Sequence, residues 1–198
     1  MSEGNNDASV LIATSFQALN RVIAIDSNPD RLITDCTVLV LFAGFYVEAT
    51  LNHIFEQTGK EEELRLFPAT SSCKRKKNHP GLRDKLVWFY NEFVEQTKAT
   101  NWTDLNHNDI DKKLNEKFPG FSDLYKFRND ISHGHINQSA KSLDTAQLLR
   151  QQAKDIVNQL YIITTDKGYV VSRDIKYRDA LASFDNNKTI VTTKTSAS

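Results

Sequence analysis

The sequence predicts an all-α protein, an up-and-down bundle of about five to six helices. Two observations carry this. Apolar residues recur in threes and fours along most of the 198 residues, with glycine and proline gathered between those stretches. The one β-like run, Tyr169-Val-Val, is too short to establish a sheet.

Ile12, Phe16, Leu19 and Ile23 share one face of a first helix over residues 8–26, closed by Asp26-Ser-Asn-Pro29. Asn28 then caps a second helix with Pro29 at its first position. Apart from Gly44, nothing breaks it before Gly59, a span of about 45 Å at 1.5 Å per residue. Its apolar run, Val38 to Val47, is ten residues long and stops at Glu48. A membrane-spanning helix needs about 20, so this is a buried segment, and no membrane association is expected.

Residues 67–81 read as an exposed loop carrying the one dense cationic cluster, Lys74, Arg75, Lys76 and Lys77. Such a run can clamp RNA phosphates or merely be a solvated face. Leu82, Leu86, Phe89 and Phe93 then define an amphipathic helix, in which Trp88 is core rather than a base-stacking platform. A short helix from Asp109 to Lys117 and a turn at Phe118-Pro-Gly-Phe121 follow. The next helix carries Leu124, Phe127 and Ile131 on its apolar side and stops at Gly134. Asp144 and Gln147 have the spacing of a capping box. Beyond them Ala146, Leu149, Ala153, Ile156, Leu160 and Ile163 run to Gly168, on a helix that can pack internally or against a second copy. Residues 1–168 therefore read as one domain and 169–198 as a loosely held tail.

Lys+Arg and Asp+Glu are both 25, so no global field draws the chain onto nucleic acid or an anionic membrane, and any polyanion site must be local. The two cysteines, Cys36 and Cys73, form no Cys-x-x-Cys pair. With a polar, acidic N-terminus lacking a signal-peptide pattern, they point to a reducing, cytoplasmic setting. No phosphate-cradling glycine loop, nucleophile elbow or credible zinc set is present, so neither metal nor cofactor is expected.

The chemistry concentrates between Arg128 and His133. Wound as a helix at about 100° per residue, Tyr125, Arg128, Asn129, Ser132 and His133 share an arc of about 140°, backing onto Leu124, Phe127 and Ile131. This stripe combines a permanent cation, neutral hydrogen-bonding side chains and an imidazole that exchanges protons near neutral pH. Those groups suit phosphodiester chemistry.

Arg128-Asn-Asp-Ile-Ser-His133-Gly resembles the Arg-x4-His signature, commonly with Asn after Arg, of the HEPN superfamily of helical bundles. Ala43-Gly-Phe-Tyr-Val-Glu48-Ala-Thr-Leu-Asn52 is similar to the long second helix of those proteins, which often carries an inward polar residue. In helix order the likeness covers residues 8–165, though its specific positions are few, and neither the 101–117 connection nor the loop around Arg75 aligns. The resemblance implies a metal-independent endoribonuclease, with Arg128 and His133 catalytic and the motifs of two protomers facing a shared cleft in a homodimer. Asn129, Ser132 and Glu48 would support them. RNA is the implied substrate, and family habit adds a restraining partner, an antitoxin or regulatory protein, in a toxin or defence system.

Two bland alternatives stand beside this. Arg128 can simply pair with a carboxylate such as Glu48 or Asp130 while His133 caps its helix, where a cation is favoured by about 0.3–1 kcal/mol. The whole chain can equally be a non-catalytic RNA-binding or protein-interaction adaptor.

Overall fold

The computed structural model of the chain describes residues 29–66, 80–95, 100–135 and 142–171. The helix expected over residues 8–26, the cluster Lys74 to Lys77 and the tail past residue 171 lie outside the described residues. Within them there are six α-helices and no strand, an all-α bundle.

The central element is α1 (Pro29–Gln57), which begins at the proline whose fixed φ and missing N–H suit a first helical position. It lies against α2 (Glu61–Leu66), α3 (Leu82–Phe89), α5 (Phe121–Ser132) and, most extensively, α6 (Leu143–Asp166). Cys36, Leu39, Val40, Ala43, Val47, Leu51, Ile54 and Phe55 are buried along it. By length and composition Thr34–Gln57 is apolar enough to cross a membrane, but 67% of its most apolar window is buried inside the fold. Those side chains are core, and each buried Leu, Val, Ile and Phe among them contributes about 1.5–3 kcal/mol.

The helix over residues 82–94 changes its backbone hydrogen-bond pattern in a way the sequence does not reveal. The helix α3 widens into a single π turn at Tyr90–Val94, where the Glu95 N–H donates to the Tyr90 carbonyl at 2.9 Å. Phe89 and Phe93 stack at 4.7 Å, and Trp88 meets Phe55 and Phe93 edge-on, with only 3% of Trp88 exposed. Just beyond, Glu95 accepts the Thr100 hydroxyl at 2.6 Å and the Thr100 N–H at 3.2 Å. Lys113 on α4 (His107–Lys117) bonds Thr100, approaches Glu95 at 3.7 Å and lies over the Tyr90 and Trp102 rings. Burial pushes the Glu95 carboxyl up, but the two Thr100 hydrogen bonds and the Lys113 charge outweigh it and hold it below the ordinary value.

Asn106 caps α4 by accepting the Asp109 N–H at 3.0 Å, so the helix begins at His107, two residues before the start expected from the sequence. Similarly, α6 starts after Ser142, whose carbonyl accepts the Ala146 N–H, so Asp144 sits inside the first turn and heads no capping box. Leu143 is packed against the core, which draws the helix start upstream. The apolar side of α6 is as expected: Ala146, Leu149, Ala153, Ile156 and Leu160 are buried. Past Gly168, Tyr169 returns to the core edge-on to Phe93 at 5.6 Å, so the chain is still anchored there.

Candidate functional site

The helix that carries the motif is fixed at both ends. At its start, Asn115 Oδ1 accepts the N–H groups of Gly120 and Ser122, and Ser122 Oγ donates to the Asp111 carbonyl. At its end, the His135 N–H reaches the Asp130 carbonyl at 2.7 Å and the Gly134 N–H the Ile131 carbonyl at 3.0 Å. This is the paired hydrogen-bond pattern of a Schellman cap, and it needs the left-handed backbone that Gly134 supplies at φ 78°. The His133 backbone is thereby held at the helix terminus, its N–H on the Asn129 carbonyl at 3.0 Å, while the side chain is exposed.

One turn earlier, Arg128 reaches across to α1. Its Nη2 donates to Glu48 Oε2 at 3.2 Å and its Nη1 to Asn129 Oδ1 at 3.2 Å. The stem passes over Gly44 so closely that a Cβ there would lie 2.8 Å from Arg128 Cγ, and the guanidinium sits 5.9 Å from the Phe45 ring centroid. Only glycine lets this stem lie flat on α1. Glu48 Oε1, meanwhile, accepts Lys85 Nζ of α3 at 2.7 Å. Each Glu48 oxygen thus holds one cation, and the trio carries one positive charge in excess. The side chains are largely covered, with 19% of Glu48, 22% of Arg128 and 11% of Lys85 exposed. At that burial, losing one partner leaves the others poorly solvated.

The structure therefore brings Arg128, Asn129 and Glu48 into contact and leaves His133 exposed at the C-terminal end of the same helix. Ser132 is also exposed, but its hydroxyl donates to the Arg128 carbonyl at 2.8 Å and is occupied locally. Tyr125 belongs to a different cluster, stacked on Phe121 at 5.6 Å and covered by the Arg83 guanidinium at 4.2 Å, which pairs with Asp111 at 2.6 Å. The Arg128–Glu48 pair is one of the bland alternatives realised, and by itself it is compatible with a purely structural tie. Lys85 and Gly44 are the residues that sequence reading missed. Lys85 is a polar position on an amphipathic helix, with nothing in its spelling to link it to Glu48, and Gly44 reads only as a blemish in a helix.

Chemically, the arrangement offers an oriented guanidinium with N–H groups beyond those already engaged, and an accessible imidazole one turn along. Neither group lies in the cleft of about 450 Å³ lined by Pro119, Gln152, Asp155, Ile156, Asn158 and Gln159, which is elsewhere on the fold. Among the described residues, no three His, Cys, Asp or Glu side chains converge where a metal ion would sit. Comparison with protein-family models, with curated proteins and with solved structures returns no match to this chain.

Proposed function

We propose that the chain is a HEPN-type endoribonuclease that cleaves RNA through the ribose 2′-hydroxyl. The observation that carries this reading is the fixed Arg128, held by Glu48 across two helices, on the same helix as a His133 whose backbone is pinned and whose side chain is exposed to meet a substrate. His133 takes the 2′-hydroxyl proton as the oxygen attacks phosphorus, a step worth about 10² to 10⁴ in rate. Arg128 binds the non-bridging oxygens as negative charge builds on them. The bond to the 5′-oxygen breaks, leaving a 2′,3′-cyclic phosphate and a 5′-hydroxyl. One imidazole cannot supply the leaving oxygen's proton in the same step, so the reading includes a homodimer in which a second His133 is the acid. A restraining partner protein of the antitoxin kind belongs to the same reading.

The test is incubation of wild type and His133→Ala with mixed structured RNA in excess chelator, reading fragment lengths and end chemistry. Because His133 is exposed, the variant keeps the fold. Chelator-resistant cleavage with cyclic-phosphate ends, lost in the variant, is the expected result. RNA left intact from about pH 6 to 8 would favour the second reading, a non-catalytic RNA-binding or protein-interaction adaptor in which Arg128–Glu48 is only a helix tie.

A further inference from the structure

The Arg128 guanidinium leaves one of its hydrogen bonds unmade. A carboxylate meets a guanidinium most strongly as a fork, two parallel N–H groups donating to its two oxygens. On Arg128 only half of the side-on fork is closed: Nη2 donates to Glu48 Oε2 at 3.2 Å, while Nε is buried with no hydrogen-bond partner among the described residues. The oxygen that would complete the fork is Glu48 Oε1. Lys85 Nζ holds that oxygen instead, at the shorter distance of 2.7 Å.

Lys85 is brought there by the first turn of α3. The Gly81 N–H donates to Asp84 Oδ2 at 3.2 Å, and the Lys85 N–H donates to the Gly81 carbonyl at 3.0 Å. Leu82 and Leu86 are buried on either side of it in sequence. Only 11% of the Lys85 side chain is exposed, against the usual habit of a lysine, which covers its stem and keeps its charged head in water.

The electrostatic consequence follows from counting charges. With Lys85 in place, two cations share one carboxylate, and Nη1 and Nη2 of Arg128 each keep a second N–H beyond those on Asn129 and Glu48. Without Lys85, Glu48 is free to close the fork on Nε and Nη2. The pair is then neutral, and an incoming phosphate competes with an internal carboxylate for the same guanidinium. We propose that Lys85 is a positioning residue of the candidate RNA site: it holds Glu48 half off Arg128, so that the guanidinium is anchored without being neutralised and keeps its charge for a phosphodiester. This role rests on the reading of Arg128 as the group that binds the scissile phosphate, and extends it to a third helix.

The first arm of the test is geometric. Lys85→Met keeps an apolar stem and removes the charge, and its crystal structure is expected to show Glu48 Oε1 within about 3 Å of Arg128 Nε. Glu48 left where it stands would overturn the proposal, whatever the protein does to RNA. The second arm measures, by fluorescence anisotropy, the affinity for an oligonucleotide whose 2′-deoxyriboses prevent cleavage, beside the cleavage rate of the matching RNA. Lys85→Met should weaken binding and slow cleavage by at least about tenfold. Adding Glu48→Gln should restore both to within about threefold of wild type, because an amide oxygen still accepts one Arg128 N–H and carries no charge to quench it. A lysine that only packs, or one that touches RNA itself, gives no such rescue, and a double variant as weak as Lys85→Met would overturn the proposal. Thermal melts check that each variant is folded at the assay temperature. Arg128→Ala separates the two claims. Binding and cleavage that survive it refute the ribonuclease reading and the role of Lys85 together, whereas their loss in Arg128→Ala with none in Lys85→Met refutes the role of Lys85 alone.

Discussion

Replacing Gly44 by alanine sets two effects of opposite sign against each other. In the middle of a helix, Gly→Ala is worth about 1 kcal/mol of stabilisation through backbone entropy alone. Here the new Cβ would lie 2.8 Å from Arg128 Cγ and 3.4 Å from Arg128 Cβ, near the root of a side chain whose far end is tied to Glu48. A stem fixed at both ends cannot swing aside without loosening the ion pair, and overpacking of this kind costs about 1–3 kcal/mol. The net expectation is a loss of between about zero and 2 kcal/mol, by combining the propensity and packing terms. In an Arg128→Ala background the obstruction is gone, and Gly44→Ala should stabilise by about 1 kcal/mol. Urea unfolding of the four proteins gives the coupling directly, expected at about 1–3 kcal/mol. Stabilisation by Gly44→Ala in the presence of Arg128 would refute the close approach, and with it the claim that Gly44 positions the guanidinium.

Two further substitutions probe the frame around the site. Gly120→Ala meets both a left-handed backbone, φ 87°, and the Gln152 side chain, whose nearest atom would lie 2.3 Å from the new Cβ; a stability loss of more than about 2 kcal/mol is expected in thermal or urea melts. Glu95 has a folded-state value below 4.5, so the unfolded chain binds more protons between the two values. The stability it contributes is complete above 4.5 and is lost as pH falls through the folded value. Glu95→Gln should lower stability at neutral pH and flatten that acid limb, measured as the urea midpoint against pH.

Where helices begin and end was legible in the chain largely because punctuation and periodicity are local. Pro29 opens α1, Gly134 closes α5, and the buried positions of α6 are those its spacing marks. The motif residues on α5 were legible for the same reason, since the positions from Arg128 to His133 lie within two turns of one helix. What the sequence could not disclose depends on the approach of distant segments. Lys85 meets Glu48 from 37 residues away, and Gly44 matters only because Arg128 crosses it. The π turn at Tyr90–Val94 escaped because it preserves the apolar spacing of Phe89 and Phe93 while changing the backbone hydrogen bonds beneath them. Ser142 displaced the expected start at Asp144 because burial of Leu143 outweighed a polar spacing rule.

The pairing of α1 with α6 also bears on how the chain is made. The last residue of α1 precedes the first of α6 by 86 residues. At a synthesis rate of 5–20 residues per second, α1 emerges about 4–17 s before its principal partner exists. During that interval the span Thr34–Gln57, whose most apolar 18-residue window has a mean hydropathy of 1.5, the profile of a membrane segment, has no finished core to enter. Closure across so long a stretch makes this bundle a slower folder than helical hairpins stitched from neighbour to neighbour.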